Sequence, residues 1–104
     1  MPWLYLVFGG IFEVGFTTAM KASDGFTRVI PSLAFLVCAA LSFWFLSRAT
    51  LHLPIGTAYA VWTGIGAVGT VIMGIVLYGE PAGAMRLFFI ATLVGSIIGL
   101  KFVS

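Results

Sequence analysis

Charge is what this sequence has least of. Its 104 residues hold five Lys and Arg and three Asp and Glu, 8% in all, where a soluble domain carries roughly 25%. That scarcity excludes a water-facing surface. The five basic residues form no run interleaved with aromatics, so nucleic acid is excluded as a partner. A single cysteine, Cys38, excludes a disulfide framework and a thiolate metal cluster. It reads as a small buried hydrophobe in an apolar segment. No phosphate-binding loop, nucleophile–base pair or cluster of metal ligands occurs. The expectation is therefore a protein without enzymatic activity, metal or cofactor. The opening "MPWLYLVFGG" lacks a positive leader and is followed by further apolar spans, so it reads as a first helix and not as a cleaved signal.

What is present is hydrophobic length, 62% of the chain. About 20 apolar residues cross a bilayer as helix, and four segments qualify, at 3–20, 29–47, 56–78 and 85–103. The breaks, "KASDGFTR", "RATLHLP" and "GEPAGAMR", carry most of the charge and turn chemistry. Pro31 falls in the first turn of the second segment, where a missing N–H is tolerated. The reading is an all-α membrane protein, one four-helix transmembrane domain over residues 1–104.

Lys and Arg near helix ends set orientation. One side would hold Lys21, Arg28 and Arg86, the other Arg48 and Lys101. So slight a bias predicts insertion both ways round, which suits an antiparallel, dual-topology pair of identical chains. Such a pair would build from two polypeptides the inverted repeats that larger transporters carry in one. Four short helices also cannot seal an aqueous cavity on both sides by themselves. Gly95 and Gly99 lie four apart on one face of helix 4, where another helix backbone can approach closely. The alternative is that they pack within one chain.

Glu13 is the only charge between Trp3 and Met20. A carboxylate at this depth is costly and marks a functional site by default. Low dielectric disfavours its charged form. Such a group holds a proton or, deprotonated, holds a cation, but not both, which is the simplest proton-for-cation exchanger. The plain alternative is a structural glutamate bonded to a neighbouring helix. Helical spacing puts Gly9, Gly10, Phe16 and Thr17 on its face, the glycines leaving room beside the carboxylate. In "AYAVWTGIG", Tyr59, Trp62, Thr63 and Gly66 form one stripe whose aromatic members offer donors and cation-binding faces. Alone, that stripe would read as packing. Ser42 either orients the carboxylate or bonds backbone. Gly64, Gly66 and Gly69 weaken helix 3 and mark a place to bend. Arg48 and Lys101 can snorkel to the interface, and His52 has no partner in sequence.

"FEVGFTTAMKASDGFTRVIPS" and "LPIGTAYAVWTGIGAVG", with four helices in about a hundred residues and one glutamate in the first, resemble the small multidrug resistance family over the full chain. The resemblance implies proton-coupled export across the bacterial inner membrane by an antiparallel, dual-topology dimer. It assigns proton and substrate binding to Glu13 and pocket roles to Tyr59 and Trp62. "WTGIGAVG" and "GLK" look like the guanidinium-exporting branch, although that branch usually has tryptophan at position 16. "TTAMK" and "SFWFLS" look like the quaternary-ammonium branch. Some members work as unlike pairs, so a second, different subunit is the alternative to a homodimer. The leading expectation is exchange of guanidinium or a related small organic cation for protons by alternating access. Broad quaternary-ammonium export is the runner-up, and a proton channel or rotor-type subunit the reading from another class.

Overall fold

The computed structural model describes residues 2–103. It contains four helices, α1 (Pro2–Ala22), α2 (Val29–Ala49), α3 (Ile55–Tyr78) and α4 (Ala84–Val103), and no strand among the described residues. At about 1.5 Å per residue each reaches roughly 30 Å, the thickness of a bilayer core. All four are long and apolar enough to cross a membrane. They run one or two residues past several of the expected limits, because helical geometry persists through charged end residues such as Lys21 and Arg48.

The turns explain where each helix stops. After α1, Asp24, Gly25 and Phe26 all adopt positive φ, a conformation that is rare for a residue as bulky as phenylalanine. Fully buried Ser23 holds it in place. Its hydroxyl donates to the Met20 carbonyl at 2.6 Å and accepts from the Phe26 N–H at 2.9 Å. The Phe26 ring then meets Phe35 edge-on at 5.0 Å. α3 ends on Gly79, left-handed at φ 65, as a helix C-terminus favours. Beyond it Glu80 pairs with Arg86 at 2.8 Å.

The helices lie side by side in the order α2, α1, α3, α4, in a slab 42 × 34 × 16 Å. α1 is the central strut, packed on α2 along one face and on α3 along another. Its α2 face is aromatic: Tyr5, Phe8 and Phe12 all meet Phe45, with centroids 5.6–6.1 Å apart. α4 lies against α3 and buries no residue. Among the described residues the buried apolar side chains are few, Leu6, Ala49, Ala58, Val61 and Trp62. One layer of helices has two open faces and encloses nothing.

The basic residues cap the slab's two ends. Lys21 sits over Tyr78 at 4.9 Å at one end, where Arg86 also lies; Arg48 sits over Trp44 and Lys101 over Trp3 at the other. Cation and ring together are the usual anchors at a membrane surface.

Candidate functional site

α1 and α3 run in the same direction with a constant offset. Gly9 faces Trp62, Glu13 faces Gly66 and Thr17 faces Thr70, each pair 53 positions apart. Small residues make this approach possible. A Cβ on Gly10 would strike the Ile65 side chain, and one on Gly69 would strike Val14. One on Gly64 would strike Ile97 of α4. Gly64 and Gly69 therefore each have a packing reason to be glycine, and α3 is one helix from Ile55 to Tyr78.

Gly66 does something different. A Cβ there would fall on the Glu13 carboxyl itself. The missing side chain is the space that the carboxyl occupies. Glu13 is half-buried, yet its Oε1 is sealed from solvent and has no hydrogen-bond partner within the described residues. The same holds for Thr63 Oγ1. Folded proteins rarely leave buried acceptors unpaired, and an orphaned one calls for a ligand, ion or water.

Ser42 does not orient this carboxylate. Fully buried, it donates to the Gly9 carbonyl at 2.7 Å and accepts from Trp62 Nε1 at 2.9 Å. Of its two sequence-level readings the backbone-bonded one holds, because the α1–α2 crossing puts a helical carbonyl closer than the glutamate. The result is a polar tie across three helices that fixes the Trp62 ring. Ser42→Ala would leave the buried indole N–H unpaired, at about 1–3 kcal/mol, and would remove the second bond to a carbonyl that α1 itself already pairs. Thermal unfolding in detergent, followed by tryptophan fluorescence, should show a clearly lowered midpoint.

Around that fixed indole the aromatic residues form a row. Tyr59, 56% exposed, lies 5.7 Å from Trp62; Phe43 lies 5.6 Å from Trp62 and 6.1 Å from Phe16. Phe16 turns toward α2, where it also meets Phe35, and not toward the Glu13–Gly66 contact. Thr17 donates to the Val14 carbonyl and shares a 2.8 Å hydrogen bond with Thr70, a partner the sequence reading did not single out. Gly95 and Gly99 face open space, nothing lying within 4 Å of a Cβ at either. Packing within the chain thus does not account for them. Among the described residues no group of His, Cys, Asp and Glu could hold a metal ion.

A sequence model of Small Multidrug Resistance proteins matches residues 1–93. The chain is 50% identical to a guanidinium exporter of Yersinia pestis over 104 residues, all of both chains. It is 46% identical to one of Proteus vulgaris, again over the whole of both. Against a guanidinium exporter of Escherichia coli K12 the identity is 50% over 101 residues, 97% of this chain and 96% of that one.

Proposed function

The chain belongs to the Small Multidrug Resistance family, and on that premise we propose that it exports guanidinium or a related small organic cation in exchange for protons. It is a transport protein that passes the bacterial inner membrane several times. The observation that carries the reading is the Glu13 carboxyl in its Gly66 cradle, with a buried oxygen that no group of the described chain satisfies. A guanidinium ion is planar and offers N–H donors in a fork that matches a carboxylate. Thr63, with an unpaired hydroxyl oxygen, and the rings of Trp62 and Tyr59 supply the remaining acceptor and the cation-binding faces.

Cation and proton compete for the same oxygens, so loading one unloads the other. An antiparallel pair of identical chains brings two Glu13 to one chamber. That arrangement supplies the second wall that a single layer of helices lacks, and the glycine face of α4, Gly95 and Gly99, is its contact surface. Exchange of two inward protons for one outward monovalent cation moves one net positive charge inward. The membrane potential then drives it by about 2.3 kcal/mol per 100 mV. The test is a substrate panel on purified protein in liposomes with an internal pH dye. Guanidinium should drive proton movement, and a bulky quaternary ammonium should do so less well. Proton flux without any cation would instead indicate a channel.

Two further outcomes follow from this reading. In a Cys38→Ala background, Ala22→Cys, in the last turn of α1 and exposed, should be labelled from both sides of the membrane. Labelling from one side alone would remove the antiparallel homodimer and leave a parallel or unlike pair. At position 16, Phe16→Trp adds an indole donor to the aromatic row and should narrow the substrate range toward unsubstituted guanidinium. An unchanged ratio of guanidinium to quaternary-ammonium transport would show that this position does not set specificity.

A further inference from the structure

The α1–α3 seam continues past Glu13 toward the end of the slab that carries Lys21 and Arg86, and there it changes character. One helical turn beyond the Glu13–Gly66 contact lies the Thr17–Thr70 hydroxyl pair. Beyond that pair a cavity of about 50 Å³ opens, lined by Thr17, Thr18, Thr70, Lys21, Tyr78 and Glu80. A hollow of about 340 Å³ among α1, α3 and α4, by contrast, is lined by apolar side chains apart from Lys101. The small cavity has hydroxyls at its floor and charged side chains at its mouth, with Met73 and Gly74 in the wall between, and its floor is the threonine pair one turn from the carboxyl.

Its mouth is built and held. Glu80 folds back over Gly74, where a Cβ would meet the Glu80 carboxyl at 2.5 Å. Arg86 fixes that carboxylate at 2.8 Å and donates from Nη1 to the Pro81 carbonyl at 2.9 Å. Lys21 of α1 stands over the Tyr78 ring of α3. Lys21, Tyr78 and Glu80 are the titratable and charged groups of its lining, with Arg86 of α4 held behind Glu80. Two cations against one carboxylate disfavour an organic cation, and the space is too small for one beside its own polar lining. It suits water, which needs about two to four polar partners at each site.

We propose that this cavity is a water-filled port through which protons reach and leave Glu13, separate from the route taken by the organic cation. A proton leaving the carboxyl passes to the Thr17–Thr70 hydroxyls or to a water beside them. The acceptor releases its own proton to the next water, so the hydroxyls end unchanged and one proton has moved to the membrane surface. Glu80, already tied to Arg86, shapes the mouth and carries no proton. The proposal rests on the proton-exchange reading of Glu13.

Cysteine accessibility in liposomes tests the port directly. In a Cys38→Ala background, Met73→Cys lies on the cavity wall and Ile72→Cys, its neighbour at nearly the same depth, faces outward. Thiol reagents attack the thiolate, which forms in water and not in lipid. A small membrane-impermeant methanethiosulfonate should therefore label position 73 at least about tenfold faster than position 72, the factor that goes with about 1.4 kcal/mol in a barrier. Equal or reversed rates would overturn the port. Function is tested by Thr70→Val, which keeps the shape and removes the hydroxyl. Guanidinium affinity at fixed pH should stay within about twofold, while proton-coupled exchange slows about tenfold and Thr70→Ser restores it. A Thr70→Val protein that exchanges at the wild-type rate would sink the relay. A wild-type protein that releases no proton on binding guanidinium would instead sink the reading of Glu13. Should Thr70→Val fail to fold, the labelling ratio at 73 and 72 decides alone.

Discussion

Glu13→Gln is expected to abolish exchange in proteoliposomes while the protein still assembles its four helices. The two halves of that expectation have separate physical causes. No hydrogen bond between helices passes through the buried Glu13 Oε1, so an amide of the same size breaks none there. It also removes a costly charge from membrane depth, so detergent stability should hold or rise. Function has no such substitute. The amide keeps the shape over Gly66 but neither titrates nor attracts a cation, and both exchange partners lose their site together. Glu13→Asp should keep exchange with an altered pH dependence, because a shorter arm leaves the Gly66 cradle partly empty. A folded Glu13→Gln protein that still exchanges would make Glu13 a structural residue.

Gly66→Ala should have an effect nearly as large, from a single methyl group. The new Cβ would occupy the volume of the Glu13 carboxyl. Because that carboxyl is the free end of a flexible side chain, it can swing aside, and the fold should lose little. The carboxyl then loses its seat against α3, and cation affinity should fall by about tenfold to a hundredfold, the loss of about 1.4–2.8 kcal/mol of positioned interaction. Gly10→Ala offers the contrast. Its Cβ would meet the branched Cβ and Cγ2 of Ile65, close to the α3 backbone, and overpacking of this kind costs about 1–3 kcal/mol. Stability should suffer there, with the unfolding midpoint lowered. Isothermal titration with guanidinium beside thermal unfolding for both variants separates the cases. Were Gly66→Ala to bind normally, the cradle would not position the carboxyl.

How far these sites were legible in the sequence follows from what each depends on. The helices were legible because a bilayer demands length and apolarity, and four runs have both. Glu13 stood out by scarcity alone, and Tyr59, Trp62 and Thr63 by their spacing on one helix. What a single chain does not carry is the offset between helices. The 53-residue register of α1 against α3 is locked by contacts that flank it at an offset of 55, Gly10 against Ile65 and Val14 against Gly69, which have no periodic signature. Without it, Gly66 reads as a weak point in a helix and not as the seat of a carboxyl. Ser42 reads as a neighbour of Glu13 and not as the tie between Gly9 and Trp62. Thr70 went unnoticed, although it lies one turn beyond Gly66 just as Thr17 lies one turn beyond Glu13. Pairing the two stripes would have found it.

In the proposed exchange, proton and cation share the Glu13 carboxyl, and the direct measurement is guanidinium affinity against pH for the purified wild-type protein and Glu13→Gln. Protons compete for the same oxygens, so wild-type affinity should weaken as pH falls, by about tenfold per pH unit for each proton displaced. The glutamine variant should bind no guanidinium at any pH. Wild-type affinity that does not change with pH, or a glutamine variant that binds guanidinium as well as the wild type, would contradict the shared site.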